Sequence, residues 1–165
     1  MDEEKMFLEA YDKYGEQIMR HISFRVSNNR EAQDIFQETF LRTWKSIVNE
    51  QKIENLRAFL YMVARNLIID HYRSKRRTEI AIDDLGAQEP SSNDLMNTAS
   101  DKIGLEKVKA AIRSLENSDE SDIIYWRYVD DLSVKEIAAL TNKEPNNIRV
   151  ICHRGLRKIR EKLYV

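Results

Sequence analysis

Leu56, Phe59, Leu60, Val63, Ala64, Leu67 and Ile68 recur at intervals of three and four over residues 56–72. Only an α-helix gathers such a set onto one side, so this stripe demands a helix with a partner to bury it. A second stripe runs through 31–48, where Ala32, Ile35, Phe36, Phe40, Trp44, Ile47 and Val48 keep the same spacing. No stretch alternates apolar and polar residues long enough to argue for a strand. The chain is predicted to be all-α.

The side opposite the first stripe is unusual. At about 100° per residue it carries Tyr61, Arg65, Tyr72 and Arg76, with Arg57 and Arg73 at its edges. Asp70 is the one acid between 56 and 77, and the stretch ends in Arg73, Lys75, Arg76 and Arg77. A solubilising face would more often mix Glu with Lys at i,i+4. Arginine neutralises phosphates, and tyrosine rings stack on the exposed bases of a single strand. The residues leave three readings open: a solvated basic helix end, a targeting signal or a nucleic-acid surface.

The total charge conceals this basic surface. The chain holds 27 basic and 28 acidic side chains, a net of −1. Divided by pattern, residues 1–77 carry +2, residues 78–122 carry −7 and residues 123–165 carry +4. The segment TEIAIDDLGAQEPSSNDLMNTASD (78–101) has Gly, Pro, Ser and Asn without a sustained period and reads as a linker. Two small domains are therefore expected, over 1–77 and 105–165, joined by an acidic tether over 78–104.

Several function classes are disfavoured. The four glycines form neither GxG nor a P-loop, and the three histidines are scattered, so no metal or cofactor is expected. No nucleophile motif is recognisable, and an enzyme is not expected. No apolar run approaches the roughly 18 residues of a membrane span. MDEEKMFLEA is acidic where a secretory signal would be basic, and the lone Cys152 suits a reducing compartment. A cytoplasmic protein without a membrane partner is the expectation.

DLSVKEIAALTNKEPNNIRVICHRGLRKIREKL (131–163) is the most informative stretch. Ser133 and Glu136 have the spacing of a capping box, with Leu132 and Ile137 placed as its hydrophobic staple. The short helix should end near Thr141, with Asn142 tolerating a left-handed turn and Pro145 opening the next helix. There Ile148, Ile151, Cys152, Gly155, Leu156, Ile159 and Leu163 form the inward stripe. Asn146, Arg149, Val150, His153, Arg157 and Arg160 share the outward face. This is a helix-turn-helix plan, whose second helix reads bases in the major groove near its N-terminus. Asn and Arg pair bidentately with adenine and guanine edges, whereas Arg154, Arg157, Lys158 and Arg160 are better suited to phosphates.

With both flanks read, the chain resembles the extracytoplasmic-function group of bacterial sigma factors, within the sigma-70 family. EAQDIFQETFLRTWKSI (31–47), NLRAFLYMVARNLIIDHYRSKRR (55–77) and YVDDLSVKEIAALTNKEPNNIRVICHRGLRKIREKL (128–163) look like that group's three conserved regions, in order. The resemblance implies a region 2 helical bundle and a region 4 helix-turn-helix joined by a flexible linker. It also implies a dissociable subunit that directs core RNA polymerase to promoters. Asp34, Gln37, Glu38 and Arg42 match the motif that binds the β′ clamp helices, and the β subunit is a further implied contact. Arg57, Tyr61, Arg65, Asn66, Tyr72, Arg73, Arg76 and Arg77 match the part that melts and reads the −10 element. Asn146, Asn147, Arg149, Val150, His153, Arg154, Arg157 and Lys158 match the −35 reader. An anti-sigma factor is common in the group.

This sequence departs from the group's pattern in three places. LENSDESD (115–122) lacks the usual Leu-Pro, Thr141–Lys143 replaces a common Leu-Gly-Ile, and Gly155 stands where Ala is usual. Two other readings compete with a sigma factor. A stand-alone helix-turn-helix regulator leaves the 31–44 motif and the Tyr–Arg stripe unexplained. A recombinase-like enzyme lacks a catalytic constellation.

Overall fold

The computed structural model describes residues 2–81 and 100–164, with side chains over 2–78 and 104–164. Among these residues the regular secondary structure is all helix: α1 (Glu3–Arg25), α2 (Asn29–Val48), α3 (Leu56–Ala81), α4 (Ser100–Arg113), α5 (Ser118–Tyr128), α6 (Val134–Thr141) and α7 (Pro145–Leu163). They divide into two compact units, residues 1–93 and 94–165.

In the first unit, α1, α2 and α3 each pack on the other two. Each helix begins on a polar cap that satisfies an otherwise orphaned amide. Asp2 accepts from the Glu4 amide, Asn28 from Glu31 and Asn55 from Ala58. Ile18, Ile22, Ala32, Leu60 and Ala64 are fully buried at the centre. An aromatic seam closes α1 against α2: Phe7 lies 5.2 Å from Trp44, and Tyr11 lies 5.0 Å from Phe40, ring centre to ring centre. Edge-on geometry at such distances adds to the area these rings bury.

Three polar residues join this core, all fully buried: His21, Thr39 and Thr43. Each threonine hydroxyl donates to the carbonyl one turn back, at 2.7 Å to Ile35 and 2.8 Å to Thr39, so neither hydroxyl is orphaned. Val48, expected in the stripe, is instead 45% exposed at the last position of α2, beyond the seam.

The second unit wraps α4, α5 and α6 around α7. Its centre is Trp126, Tyr125, Ile112, Ile123, Ile124, Leu132, Ile137 and Ile148, all essentially inaccessible. Where the group's Leu-Pro is missing, Asn117 caps α5 by accepting from the Asp119 and Glu120 amides. Ser121, buried one turn later, donates to the Ile112 carbonyl and ties α5 to the end of α4. Leu163, expected on the inward stripe, is 38% exposed as the last residue of α7.

The stretch read as a linker is helical at both ends. Residues 78–81 prolong α3, because nothing before Gly86 and Pro90 interrupts a helix, and residues 100–104 open α4. The middle of that stretch, 82–99, lies outside the described residues.

Candidate nucleic-acid interface

The helix-turn-helix forms by local chemistry that the sequence announces. Ser133 accepts from the Glu136 amide at 3.0 Å, and the Glu136 carboxylate accepts from the Ser133 amide at 3.2 Å. Leu132 and Ile137 are both fully buried across this first turn, as a staple requires. Asn142 ends α6 in the left-handed conformation, φ 53° and ψ 39°, and Pro145 occupies the first turn of α7.

Ile148, Cys152, Gly155 and Ile159 bind α7 to its unit. Gly155 resolves one departure from the group's pattern: a β-carbon there would stand 2.5 Å and 2.8 Å from Ile124 Cδ1 and Cγ1. Two lysines brace the same helix. Lys158 Nζ lies 3.2 Å from Glu120 Oε2 on α5, and Lys162 Nζ donates to the Ser114 carbonyl at 2.9 Å, just past the end of α4. Burial pushes the Cys152 thiol above its ordinary pKa, as befits a packing residue.

Of the residues expected to read the −35 element, Asn146, Asn147, Arg149, Val150, His153, Arg154 and Arg157 are exposed, and together they cover the outward side of α7. Arg149 Nη1 donates to Asn146 Oδ1 at 2.8 Å, so these two form a pre-arranged pair. Lys158 is exposed as well, but at the flank of the helix, where its ammonium lies 3.2 Å from Glu120 Oε2 because α5 crosses α7 closely at Gly155.

The surface of α3 divides in two. Asn66, Arg73, Arg76 and Arg77 are exposed, and Lys75 with them. Arg57 and Arg65 are half-buried. Tyr61 does not belong to an outer face at all: it is fully buried, 5.8 Å from the His21 ring. As the helix packed on both α1 and α2, α3 buries a wider arc than its apolar stripe, and Tyr61 falls within it. Tyr72 is 41% exposed, yet its hydroxyl donates to the Arg25 carbonyl at the end of α1. His71 reaches Glu31 on α2, Nε2 to Oε2 3.3 Å. The basic end of α3 is thus anchored at the α1–α2 corner before it projects. His21, fully enclosed, has its pKa pushed down to about 3 by burial first and then by Arg25 and Arg65.

Asp34, Gln37 and Arg42 are exposed on α2, and Glu38, half-exposed, pairs with Arg42 at 2.8 Å. Sequence reading passed over Leu41, which stands 46% exposed on the same side of the helix. Its signal was available, since it falls outside the stripe that runs from Ala32 to Ile47.

Among the described residues no group of His, Cys, Asp and Glu is placed to hold a metal ion, and no helix is long and apolar enough to cross a membrane.

Comparison with known proteins places these features. Residues 10–78 match the family model described as Sigma-70 region 2, and residues 105–159 match that described as Sigma-70, region 4. Together the two matches cover well over half of the chain. The chain is 27% identical over 155 residues to the ECF RNA polymerase sigma factor BldN of Streptomyces coelicolor, spanning 93% of this chain and 58% of that protein. It is 27% identical over 154 residues to SigL of Mycobacterium tuberculosis, spanning 91% and 84% respectively. In fold it resembles the sigma factor RpoE of Bartonella quintana, solved with the anti-sigma factor NepR, with a TM-score of 0.76, 20% identity and 98% of each chain covered. CnrH, solved with the cytosolic domain of CnrY, gives 0.69 at 17% identity, over 97% of this chain and 88% of that one.

Proposed function

The chain belongs to the extracytoplasmic-function group of the sigma-70 family, whose members direct RNA polymerase to promoters, and on that footing we propose how its two units share the work. The unit built on α1–α3 binds core polymerase through Asp34, Gln37, Glu38 and Arg42 of α2, against the β′ clamp helices. The projecting end of α3, with Asn66, Arg73, Arg76 and Arg77, receives the −10 element as its strands part. In the second unit α7 enters the major groove of the −35 element. Residues 78–104 join the two and make the linker of the active complex. The reading rests on one observation: a braced helix-turn-helix turns outward a face of Asn, Arg and His residues around a single valine, in a chain whose other unit ends in a separate basic helix.

The physics divides the labour. Arginines on phosphates supply affinity and position without sequence information, whereas base reading falls, in this proposal, to Asn146 and Arg149 in the first turns of α7. No step of chemistry is asked of this chain, and it is proposed to act in the cytoplasm as a non-enzymatic specificity subunit. An anti-sigma protein is a further proposed partner, by analogy with the complexes of RpoE and CnrH. A stand-alone operator-binding regulator is disfavoured, because it leaves the first unit without a task.

Adding the purified chain to catalytic core polymerase should yield promoter-dependent run-off transcripts and a stable complex with core. Absence of both would overturn the reading.

A further inference from the structure

We infer that Val150 is a specificity residue that recognises the 5-methyl group of a thymine in the −35 duplex. The inference rests on the proposed role of α7 and goes beyond it by naming the chemical group that is read.

Val150 is 50% exposed, although it is apolar and β-branched. Its place on the helix is central. Ile148, Cys152, Gly155 and Ile159 are buried on one side of α7, and at about 100° per residue Val150 points almost directly away from them. After Pro145, the other exposed side chains in the first turns are Asn146, Asn147, Arg149, His153 and Arg154, every one polar. Valine is a poorer helix former than alanine or the long polar residues, so an exposed helical site gains nothing locally from it. Nor does a neighbour cover it: the Arg149 guanidinium is held by Asn146.

The ligand follows from what a major groove offers. Its floor is a pattern of hydrogen-bond donors and acceptors, and the thymine 5-methyl is the one apolar group among them. An isolated aliphatic side chain ringed by Asn, Arg and His complements one methyl on an otherwise polar floor. A protein pocket would instead ask for an apolar patch, whereas the exposed side chains beside Val150 on α7 are polar.

The test uses holoenzyme reconstituted from core polymerase and the full chain. A promoter duplex is first enriched from a pool randomised over the −35 segment, and each thymine in that segment is then replaced in turn by deoxyuridine. At one position the missing methyl should weaken closed-complex binding about fourfold, the worth of one buried methyl group. In Val150→Ala the thymine duplex should bind about as weakly as the uridine duplex does to wild type, with no further loss on replacement. Enrichment with every uridine neutral would overturn the inference and leave the −35 role intact, as would a uridine penalty undiminished in the variant. Weaker binding of Val150→Ala to core polymerase without DNA would overturn it in favour of a protein contact. If no duplex is enriched, the −35 role fails, and this inference fails with it.

Discussion

A β-carbon on Gly155 would stand 2.5 Å from the δ-carbon of Ile124, so the glycine is what allows α7 and α5 to meet. Ile124 is itself 1% exposed and has nowhere to retreat. Gly155→Ala should therefore destabilise the second unit despite its better helix propensity. Overpacking costs about 1–3 kcal/mol against roughly 1 kcal/mol gained from the helix. Gly104 in α4 is the contrasting case, with nothing within 4 Å of the added methyl, and Gly104→Ala should stabilise by about 1 kcal/mol. Denaturant melts of both variants check the pair, and the same sign for both would refute the packing argument.

Lys158 pairs with Glu120 across α5 and α7, and we propose that this pair braces α7 in place of a phosphate contact. Binding that loses a phosphate contact loses about one unit from its log–log salt slope. Lys158→Ala should leave that slope unchanged in promoter binding and lower stability by less than about 1 kcal/mol, because the pair is partly exposed. Arg154→Ala or Arg157→Ala should reduce the slope. A reduced slope in the lysine variant would return Lys158 to the DNA surface.

His21 makes the first unit sensitive to acid. Its folded pKa of about 3 lies below the ordinary histidine value near 6.5, so the unfolded chain binds a proton that the folded chain refuses. Stability is thus fully present above about pH 6.5 and declines as the pH falls toward 3, by up to about 1.4 kcal/mol per unit. Urea melts between pH 7 and pH 4 should show a shallower decline in His21→Leu and His21→Gln than in wild type. An unchanged pH slope in both would mean that the ring is not kept neutral by its enclosure.

Tyr61 and the outer arginines should fail differently. Tyr61→Ala removes a fully buried ring and should cost about 3–5 kcal/mol of stability, with every activity of the unit lost in proportion. Arg76→Ala and Arg77→Ala should leave the melting temperature within a degree or two while reducing strand opening, read as the reactivity of unpaired thymines near −10. A stable Tyr61→Ala protein with a selective opening defect would place the ring back at the DNA.

Much of this architecture could be read from the sequence, for reasons specific to certain residues. Ser133, Glu136, Asn142 and Pro145 act through neighbours no more than four positions away, so spacing alone locates the helix-turn-helix. The stripes of α2 and α3 likewise depend only on period. What spacing could not supply is the number of neighbours a helix has. Tyr61 looked external because one stripe was assumed to face one partner, whereas α3 packs on two helices. Thr39 and Thr43 fall outside the apolar stripe of α2, yet they are buried because their hydroxyls are satisfied inside their own helix. The Lys158–Glu120 pair spans 38 residues of chain, beyond any local pattern.

The bracing of α7 has a consequence for how such a chain diverges. Gly155, Lys158 and Lys162 hold the helix from behind and from its far end, so the scaffold does not depend on Asn146, Val150, His153 or Arg154. Surface replacements of that kind usually alter stability by no more than about 0.5 kcal/mol. On the proposed role of α7, the sequence it reads could then change one side chain at a time without disturbing the frame beneath it. On that role, a change of recognised sequence need not cost the second unit its stability.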